Sequence, residues 1–561
     1  MPNLIDSLNI EWNSYHLTCF KSGTTVNRHR RFDWQAPPPA TGPDMFAASK
    51  LALHTHVSFA ARAHTNVGVM GRNWSFSNII GNEKLQLELA SAIAPPAAPS
   101  PLQPAPPAMG VVSGMIGCAV VPQADLSPHC GILSDTLAYV AGGASMRDLA
   151  GWAESNGRSL MTSGSQLGPS VAGACATGTH GSRLGYGGVQ NMVRGMHLIC
   201  DGEKSVWIEP RHSPILSDHV AKKFADEVIR DDNIFNDVLV HLGGMGIVNG
   251  LVVELGPNTS YSVLRKKRVL GDQIDTWSRL VRDKNYDGVT KFLDPSIDAS
   301  PCFYEVSIDP FDPQNKPSFH TLFFAVSPSS VATERMSLPE PTNFLQGPID
   351  TVSDVARSLM LFKERSGERP PLDLPQQYDQ RFVEMTPTDH GPATWANLFG
   401  DQISGDIPGA LYNAAFAVPQ ERFDDVRKAI CAPFASEQRR EFIFTFRFVH
   451  NAAGTMSHLR FADSVAIEID GFSDAILNYV SGGQITTGIC QSAAAQVKAA
   501  LTAVSIPYHM HWAKLATDDP SIIAVDFGSA IQRYRNTRNT LLSPEGRATM
   551  QNRLLTEKAI L

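Results

Sequence analysis

The sequence predicts an α+β fold built from two domains. In the first half of the chain, apolar side chains follow helix spacing in some segments and strand spacing in others, so both element types are expected there. From about residue 257 the pattern changes to longer polar stretches, and strongly β-like segments follow from residue 442. A chain of 561 residues is also too long for one ordinary hydrophobic core. We therefore expect a first domain over residues 1–260, followed by a second, mixed α/β domain.

The composition is that of a soluble globular protein and argues against several classes of partner. Hydrophobic residues make up 43% of the chain and charged residues 18%. The net charge of -8 leaves no basic excess for a phosphate backbone, so nucleic acid is not an expected partner. No run of about 18 apolar residues is present, so no membrane span is expected. The N-terminus lacks a basic region followed by an apolar one, which predicts a cytoplasmic protein without a secretory signal.

The cysteines do not form a recognisable metal or disulfide pattern. There are eight of them, none in a Cys-x-x-Cys pair and none with histidine neighbours at zinc spacing. Scattered cysteines in a long chain without a signal indicate reduced thiols. Neither the cysteines nor the histidine spacing predicts a metal site.

The first domain is predicted to contain an early helix and a short strand. Within residues 45–63, four apolar side chains fall at helix spacing, namely Leu53, Val57, Ala60 and Ala61. Val67 and Val69 then alternate as in a strand that leads into Gly71. The tract 94–108 is rich in Pro and Ala, and because proline fixes φ and removes a donor, we expect an extended surface insertion there.

A strand and a helix are predicted between two glycine-containing loops. Residues 137–141 alternate as a strand, and Ser145 can cap a helix that Gly157 ends. Further strands are predicted at 197–200, 251–254, 442–449 and 464–469, and a further helix at 491–503. Strand and helix signals in both halves favour the α+β class.

The first loop, residues 71–77, combines a glycine, a cation and two hydroxyls. A pyrophosphate group needs several converging backbone N–H donors and little steric bulk around them. Gly71, Arg72, Ser75 and Ser77 meet that need within seven residues. This pattern is also common in turns that bind no ligand. It therefore indicates an anion site only when a second feature supports it.

The second loop, residues 170–182, is more specific. It places Gly173, Gly178 and Gly181 among hydroxyl side chains and one histidine, His180. So many small residues let a large anionic ligand approach the backbone closely. The two loops occur in order with a strand–helix unit between them, which favours nucleotide binding over two unrelated turns.

Together the loops resemble the two FAD-contacting loops of the vanillyl-alcohol oxidase (p-cresol methylhydroxylase, or PCMH-type) flavoprotein superfamily. The segment Ala176-Thr-Gly-Thr-His-Gly-Ser182 is similar to that of the aldonolactone and alditol oxidase branch. His511-Trp-Ala-Lys514 resembles the HWGK or HWAK motif of that branch, and Phe444-Thr-Phe-Arg447 resembles its Glu-x-Arg strand. The similarity covers about 65–255 and parts of the C-terminal third, whereas 260–430 match no segment of the family.

The resemblance implies a PCMH-type FAD-binding domain over 1–260, a substrate-covering cap domain over 261–505, and a segment 506–561 that returns to the flavin. It also implies a set of residues that contact FAD. These are Gly71, Arg72, Asn73, Trp74, Ser75, Phe76, Ser77, Ser163, Gly168, Ser170, Val171, Gly173, Ala174, Ala176, Thr177, Gly178, His180, Gly181, Ile247, Val248, His511 and Lys514.

Two residues depart from the family pattern. Trp74 stands where many relatives have a histidine bonded covalently to the flavin, and an indole cannot form that bond, so FAD is expected to be non-covalent. Thr445 replaces the Glu of Glu-x-Arg, which removes a charge that could orient a polyol. The substrate is therefore expected to differ from a standard alditol.

The activity that the resemblance implies is oxidation of a C–OH group by hydride transfer to flavin N5, with O2 as the expected acceptor. Lys514 would stabilise the reduced flavin anion or an alkoxide, Arg447 would fix the substrate oxygen, and Thr445 would line the same site. A surface or structural cation is the ordinary alternative for both Lys514 and Arg447. His180 is expected to hold its loop together, and His511 to contact the flavin ring or simply to pack.

Several alternatives stay open at this level. His450 and His458 could supply a general base if they face a cavity, whereas Glu468 and Asp470 are expected on a solvated strand face. The enzyme could instead be a dehydrogenase with another acceptor, or act on a bulkier sterol or secondary-metabolite alcohol. A flavin-binding protein without catalysis is the third alternative, since Trp74 and Thr445 both depart from the active pattern.

Overall fold

The computed structural model describes residues 2–11, 25–34, 41–71, 75, 77, 79, 84–89, 117–326, 390–400, 411–435, 442–474, 488–515 and 519–561. The Pro/Ala-rich tract 94–108 lies outside these residues, so its predicted surface position stays a prediction. All structural statements below concern the described part of the chain.

Two sheets and a short ladder occupy the first half of the chain. The smaller sheet contains β1 (Pro2–Glu11), β2 (Thr25–Trp34), β3 (Gly68–Met70) and β4 (Gln86–Glu88), in the order β1-β2-β4-β3. The larger contains β5 (Cys118–Val120), β6 (Leu137–Ala141), β8 (Val193–Ile199), β9 (Ser205–Glu209), β10 (Glu227–Arg230) and β11 (Ile247–Glu254). Its order is β10-β9-β8-β11-β6-β5, and β7 (Arg158–Ser159) pairs separately with β12 (Gly256–Pro257).

The helices of this half cover the sheets, and two of them, α1 and α2, correspond to predicted helices. They are α1 (Gly42–Arg62), α2 (Met146–Ser155), α3 (Val171–Ala176), α4 (Asp218–Ala221) and α5 (Asp232–Leu239). The predicted helix at 45–63 is confirmed, because Leu53, Val57 and Ala60 are fully buried on one face of α1. The predicted cap of α2 is also confirmed: the Ser145 hydroxyl accepts from the Asp148 N–H, and the Asp148 carboxylate accepts from the Ser145 N–H. Such a capping box contributes about 1 kcal/mol.

Strand β6 differs from the predicted alternation, since all five of its side chains are buried. The strand lies inside the six-stranded sheet between β11 and β5, and α1 packs on it. Phe46 of α1 meets Tyr139 of β6 edge-on at 5.7 Å between ring centroids. A strand that is covered on both faces has apolar residues at every position, so polar and apolar side chains do not alternate along it.

The second half is dominated by an antiparallel sheet with eight described strands. These are β13 (Ser260–Val269), β14 (Phe303–Ile308), β15 (Pro317–Val326), β16 (His390–Thr394), β17 (Leu411–Pro419), β18 (Phe442–His450), β19 (Asp463–Phe472) and β20 (His509–Met510). The order is β16-β13-β15-β14-β18-β19-β17-β20. The helices of this region are α6 (Ile274–Arg282), α7 (Tyr286–Leu293), α8 (Trp395–Gly400), α9 (Phe423–Cys431) and α10 (Ile489–Ala503).

The two faces of this sheet have different chemistry. Along β18, Phe444, Phe446 and Phe448 belong to a hydrophobic core that also includes residues of α6, α9 and α10. Because successive strand residues point to opposite faces, Thr445 and Arg447 lie on the other face. That face meets loops of the first half of the chain, as described below.

The last three helices complete the core of the first half. They are α11 (Pro520–Leu541), α12 (Pro544–Thr549) and α13 (Arg553–Glu557). Phe527, Tyr534 and Leu555 are buried in the same core as α1 and β6. No helix of the described residues is both long and apolar enough to cross a membrane. The predicted α+β class is confirmed, whereas the boundary at residue 260 stays a prediction.

Candidate functional site

The two glycine-containing loops border a groove that is open to solvent, with about 1020 Å3 of space that protein atoms do not fill. Aliphatic side chains, glycines and a few hydroxyls line it. The lining residues are Val67, Val69, Met70, Gly71, Ser75, Ile79, Leu89, Gly142, Pro169, Ser170, Ala172, Gly173, Ala174, Ala176, Thr177, Thr179, His241, Leu242, Gly243, Gly246, Ile247, Val248, Ala513 and Asn552.

Many of the residues predicted to contact a cofactor line this groove. They are Gly71, Ser75, Ser170, Gly173, Ala174, Ala176, Thr177, Ile247 and Val248. Four others, Arg72, Asn73, Trp74 and Phe76, lie outside the described residues. The predicted roles of all these residues stay predictions, but the groove gathers members of both loops in one place.

The two loops touch each other at Gly71 and Ser170. A Cβ atom added at Gly71 would lie 1.9 Å from the Ser170 hydroxyl oxygen, so a larger residue at position 71 cannot fit without a shift. Ser170 in turn caps α3, because its hydroxyl accepts from the Gly173 N–H at 3.2 Å. The sequence predicted only a turn at 170–182, and the structure places this short helix within it. The helix forms because small residues follow a good N-cap.

The other predicted cofactor residues lie beside the groove and do not line it. The Ser163 hydroxyl accepts from the indole N–H of Trp395 at 2.9 Å. Gly181 packs on the Ser163 carbonyl, and Ser77 donates its N–H to the Ala513 carbonyl at 3.1 Å. The further members of this group are Gly168, Val171, Gly178, His180, His511 and Lys514.

Ser182 joins the second loop to the eight-stranded sheet. Its hydroxyl donates to the Tyr304 carbonyl of β14 and accepts from the Phe448 N–H of β18 at 2.9 Å. Its own carbonyl accepts from the Tyr304 N–H at 3.2 Å. This contact sets the position of the loop relative to the strand that carries Arg447.

Four charges alternate in sign on the sheet face that meets the loops, and two of them, Arg447 and Glu468, are buried. Arg447 lies 2.9 Å from Glu305 of β14 and 3.6 Å from Glu468 of β19, and Lys514 lies 2.6 Å from Glu468. Lys514 follows Ala513, which lines the groove. The cluster is therefore next to the groove lining, and its two carboxylates balance its two cations.

Arg447 is only 3% exposed, yet two of its guanidinium nitrogens lack a hydrogen bond within the described chain. Both carboxylates are close enough for charge attraction, but they are not aligned with these N–H groups. A buried guanidinium normally satisfies its donors. Nε and Nη2 of Arg447 are therefore available to an oxygen of a bound molecule.

Glu468 and Asp470, two residues apart on one face of β19, respond oppositely to the same surroundings. Burial opposes ionisation of Glu468, but the charges of Arg447 and Lys514 outweigh it and lower the pKa of Glu468 to about 2. Burial and the negative charge of Glu468 raise the pKa of Asp470 to about 7. Asp470 accepts from the side-chain amide of Asn413, and its second oxygen has no hydrogen-bond partner within the described chain.

The expectation that Glu468 and Asp470 lie on a solvated face is wrong, since each is 3% exposed. Strand β19 lies between β18 and β17, inside the sheet. The segment after β20 covers its polar face, because His511 donates its N–H to Ala415 of β17 and Leu515 donates to Asn413. Alternation alone cannot distinguish a solvated face from one that a distant segment covers.

The remaining candidates occupy different surroundings. The Thr445 hydroxyl lies 2.9 Å from that of Ser307 and is fully buried. His458, weighed as a general base, is buried beside His180 and His511, whereas His450 is exposed and pairs with Asp463. The sequence analysis missed Glu305, which lies in the stretch that resembles no segment of the family. Its pairing with Arg447 becomes visible only in the structure, where its strand β14 lies next to β18.

Comparison with known proteins supports the fold. No family model matches the chain. Among solved structures, the chain is similar to the crystal structure of the cholesterol oxidase from B. sterolicum, with a TM-score of 0.61 and 11% sequence identity. The match covers 99% of this chain and 97% of that chain. At this identity the likeness establishes the fold alone, and it does so over nearly the whole length.

Proposed function

We propose that the protein is an FAD-dependent oxidoreductase that oxidises a C–OH group of a small molecule. The observation that carries this proposal is that Lys514 of the Arg447–Glu468–Lys514 cluster directly follows Ala513, which lines the glycine-rich groove. The fold likeness to a cholesterol oxidase supports it, because cholesterol is an alcohol. The motifs that resemble FAD-contacting loops lie at the same groove.

The lining of the groove suits the pyrophosphate and flavin groups of FAD. Gly71 and Gly173 leave backbone exposed where a Cβ would meet Ser170, and the hydroxyls of Ser75, Ser170 and Thr177 supply polar contacts. The aliphatic lining suits flat aromatic rings. FAD bound here would supply a hydride acceptor, which the side chains of the protein cannot provide.

The cluster next to the groove lining would bind and orient the substrate. Arg447 would donate to the substrate oxygen from Nε and Nη2, which make no hydrogen bond within the described chain, and Lys514 is held by Glu468. Fixed charges in a site closed to water stabilise developing negative charge more strongly than solvent does. These groups need no rearrangement, because the sheet and the segment after β20 hold them.

Asp470 is the residue suited to take the hydroxyl proton. Its pKa of about 7 lets it accept or release a proton near neutrality, and its free oxygen has no hydrogen bond within the described chain. A general base is most effective when its pKa lies near the working pH. We assign Arg447 and Lys514 to positioning and charge stabilisation, and Asp470 to proton transfer.

The first experiment is the visible spectrum of the purified protein, followed by acid precipitation. A flavin spectrum with FAD released into the supernatant is expected, since Trp74 cannot form the histidyl bond of its relatives. Colour retained in the pellet would contradict the non-covalent prediction alone. Colourless protein that takes up no added FAD would overturn the proposal.

Substrate class follows from anaerobic reduction of the bound flavin by a panel of polyols, aldonolactones, sterols and simple aromatic alcohols. Bleaching by at least one class is expected. Flavin that binds and is reduced by none of them would favour the catalytically inactive alternative. Reoxidation in air, compared with reoxidation by a dye, separates an oxidase from a dehydrogenase.

A further inference from the structure

Three buried histidines from three distant segments meet behind the groove. His180 belongs to the second loop, His458 to the loop between β18 and β19, and His511 to the segment after β20. One ring nitrogen of each lies within 4.8 Å of those of the other two. None of the three rings is more than 3% exposed. We name this group the histidine cluster.

We propose that the histidine cluster binds one divalent transition-metal cation of the zinc class. Neutral imidazole is the ligand that Zn2+, Cu2+ and Ni2+ share, and three imidazoles are a common protein set for such ions. No sequence motif marks this site, because its ligands are far apart in the chain and not at zinc-motif spacing.

The ring nitrogens of His458 are the strongest evidence for a bound cation. Both of its ring nitrogens are buried and have no hydrogen-bond partner within the described chain. Each unsatisfied buried polar atom costs about 1–3 kcal/mol, so a fully buried imidazole with two of them needs another explanation. A bound cation satisfies one of these atoms directly.

Backbone contacts locate the lone pairs of the other two rings. His180 Nδ1 lies 3.2 Å from the Gly181 carbonyl oxygen, and since a carbonyl only accepts, Nδ1 carries the proton and Nε2 has the lone pair. This backbone contact is the usual second partner of a metal-binding histidine. His511 Nδ1 accepts the Ala513 N–H at 3.1 Å, so a cation bound at that nitrogen would replace this hydrogen bond.

The spacing of the rings agrees with a shared tetrahedral ion. Three imidazoles on one zinc ion place their ring centres about 5 Å apart, given Zn–N bonds of about 2.0–2.1 Å. The observed centroid separations are 4.3 Å for His458–His511, 5.6 Å for His180–His458 and 5.9 Å for His180–His511. Small shifts of the rings are enough to close the site.

The charges around the cluster do not oppose a dication. Arg447 and Lys514 are the nearby cations, and Glu305 and Glu468 offset them one for one.

The bound cation would have a structural consequence for the groove. It would tie the second loop, the loop between β18 and β19 and the segment that carries Lys514 to one point. Gly178 sits against this point, with a Cβ position 3.3 Å from His458 Nδ1 and a φ of +73° that favours glycine. The cation would therefore position Lys514 without touching a substrate.

The test is metal analysis of the tag-free full-length protein together with Co2+ titration. We expect about one zinc per chain after gel filtration, and Co2+ should give the visible bands of a four-coordinate site at longer wavelength than flavin absorption. His458→Ala and His511→Ala should weaken Co2+ binding by at least about 100-fold, judged from the sensitivity of metal sites to their ligand shell. His450→Ala, which changes an exposed histidine on the neighbouring strand end, should bind as the wild type does.

Two results would overturn the proposal: wild-type protein that holds no zinc and takes up no Co2+, or unchanged metal content in His458→Ala. If that variant does not fold, the wild-type titration still decides. Flavin content measured on the same samples separates the two proposals. Yellow, metal-free protein contradicts only the cation, and colourless, metal-loaded protein contradicts only FAD.

Discussion

Thr445 and Glu468 lie directly opposite each other on the adjacent strands β18 and β19. The carboxylate that Thr445 lacks is thus supplied by its cross-strand partner, at the same level of the sheet. Glu468 holds Lys514 at 2.6 Å and lies 3.6 Å from Arg447. The prediction that Thr445 makes the substrate differ from a standard alditol stays a prediction, and Glu468 places a carboxylate at the same level of the sheet.

The first prediction concerns Lys514. Lys514→Met should leave FAD binding intact and slow anaerobic flavin reduction by about 100-fold, the usual loss when one preorganised charge is removed from a site. Stopped-flow absorbance measures the rate. Lys284→Met, which removes an exposed lysine paired with Asp463, should reduce at the wild-type rate. Equal rates of flavin reduction in the two variants would mean that Lys514 has no role in the proposed reaction.

The second prediction concerns the stability of the buried ion cluster. Glu305→Gln should lower the free energy of unfolding by about 3–5 kcal/mol, because Arg447 loses a buried partner. Urea unfolding followed by circular dichroism measures the change. The matched control is Glu227→Gln, whose pair with Lys204 is exposed and should contribute less than about 1 kcal/mol. Similar losses of unfolding free energy in both variants would mean that the buried pair stabilises the fold no more than the exposed pair does.

The third prediction is a pH dependence caused by Asp470. Its pKa is raised to about 7 in the folded chain, against about 3.9 in an unfolded one, so its protonated form favours folding. The stabilisation is complete below about pH 4 and is lost as the pH rises through about 7. Asp470→Asn should therefore raise the melting temperature strongly at pH 8, and the gain should shrink towards zero as the pH falls to about 4.

The same substitution should abolish the rise in turnover through about pH 7 that a base with this pKa produces. Thermal melts and initial rates at several pH values test both parts of this prediction. Asp298→Asn, at an exposed surface position, is the control and should change neither property. A wild-type pH profile in Asp470→Asn would assign the base to another group.

The fourth prediction concerns the contact between the two loops. Gly71→Ala should weaken FAD binding by at least about 10-fold, because its Cβ would meet the Ser170 hydroxyl at 1.9 Å and push the loops apart. Fluorescence titration of the apoprotein with FAD measures the affinity. Gly151→Ala adds a Cβ in open space on α2 and should instead stabilise the helix by about 1 kcal/mol. Wild-type affinity in Gly71→Ala would mean that the loops need not touch for FAD to bind.

Local sequence signals predicted the fold well where they depend on a few neighbouring residues. The cap at Ser145 and the buried face of α1 follow from spacing alone. The meeting of the two loops could be expected from their order and from the resemblance. Their contact at Gly71 and Ser170 depends on the absence of a side chain at Gly71, and only the structure shows it.

The rest of the site depends on strand register and on distant segments. Glu305 reaches Arg447 only because β14 pairs with β18, and no local pattern gives that pairing. Glu468 and Asp470 alternate with apolar residues as on an exposed strand, but in the folded chain the segment after β20 covers them. The histidine cluster likewise forms only when three separate loops pack together.

The helices after residue 520 also determine when the groove can form during biosynthesis. Asn552 lines it, and the Tyr534 hydroxyl donates to the carbonyl of His241, another lining residue. A ribosome that has translated only the first half of the chain has therefore not yet made one wall of the groove. Cofactor uptake at the complete groove must follow synthesis of these last helices, so a translation arrest before them would yield a nascent chain with an open, unfinished site.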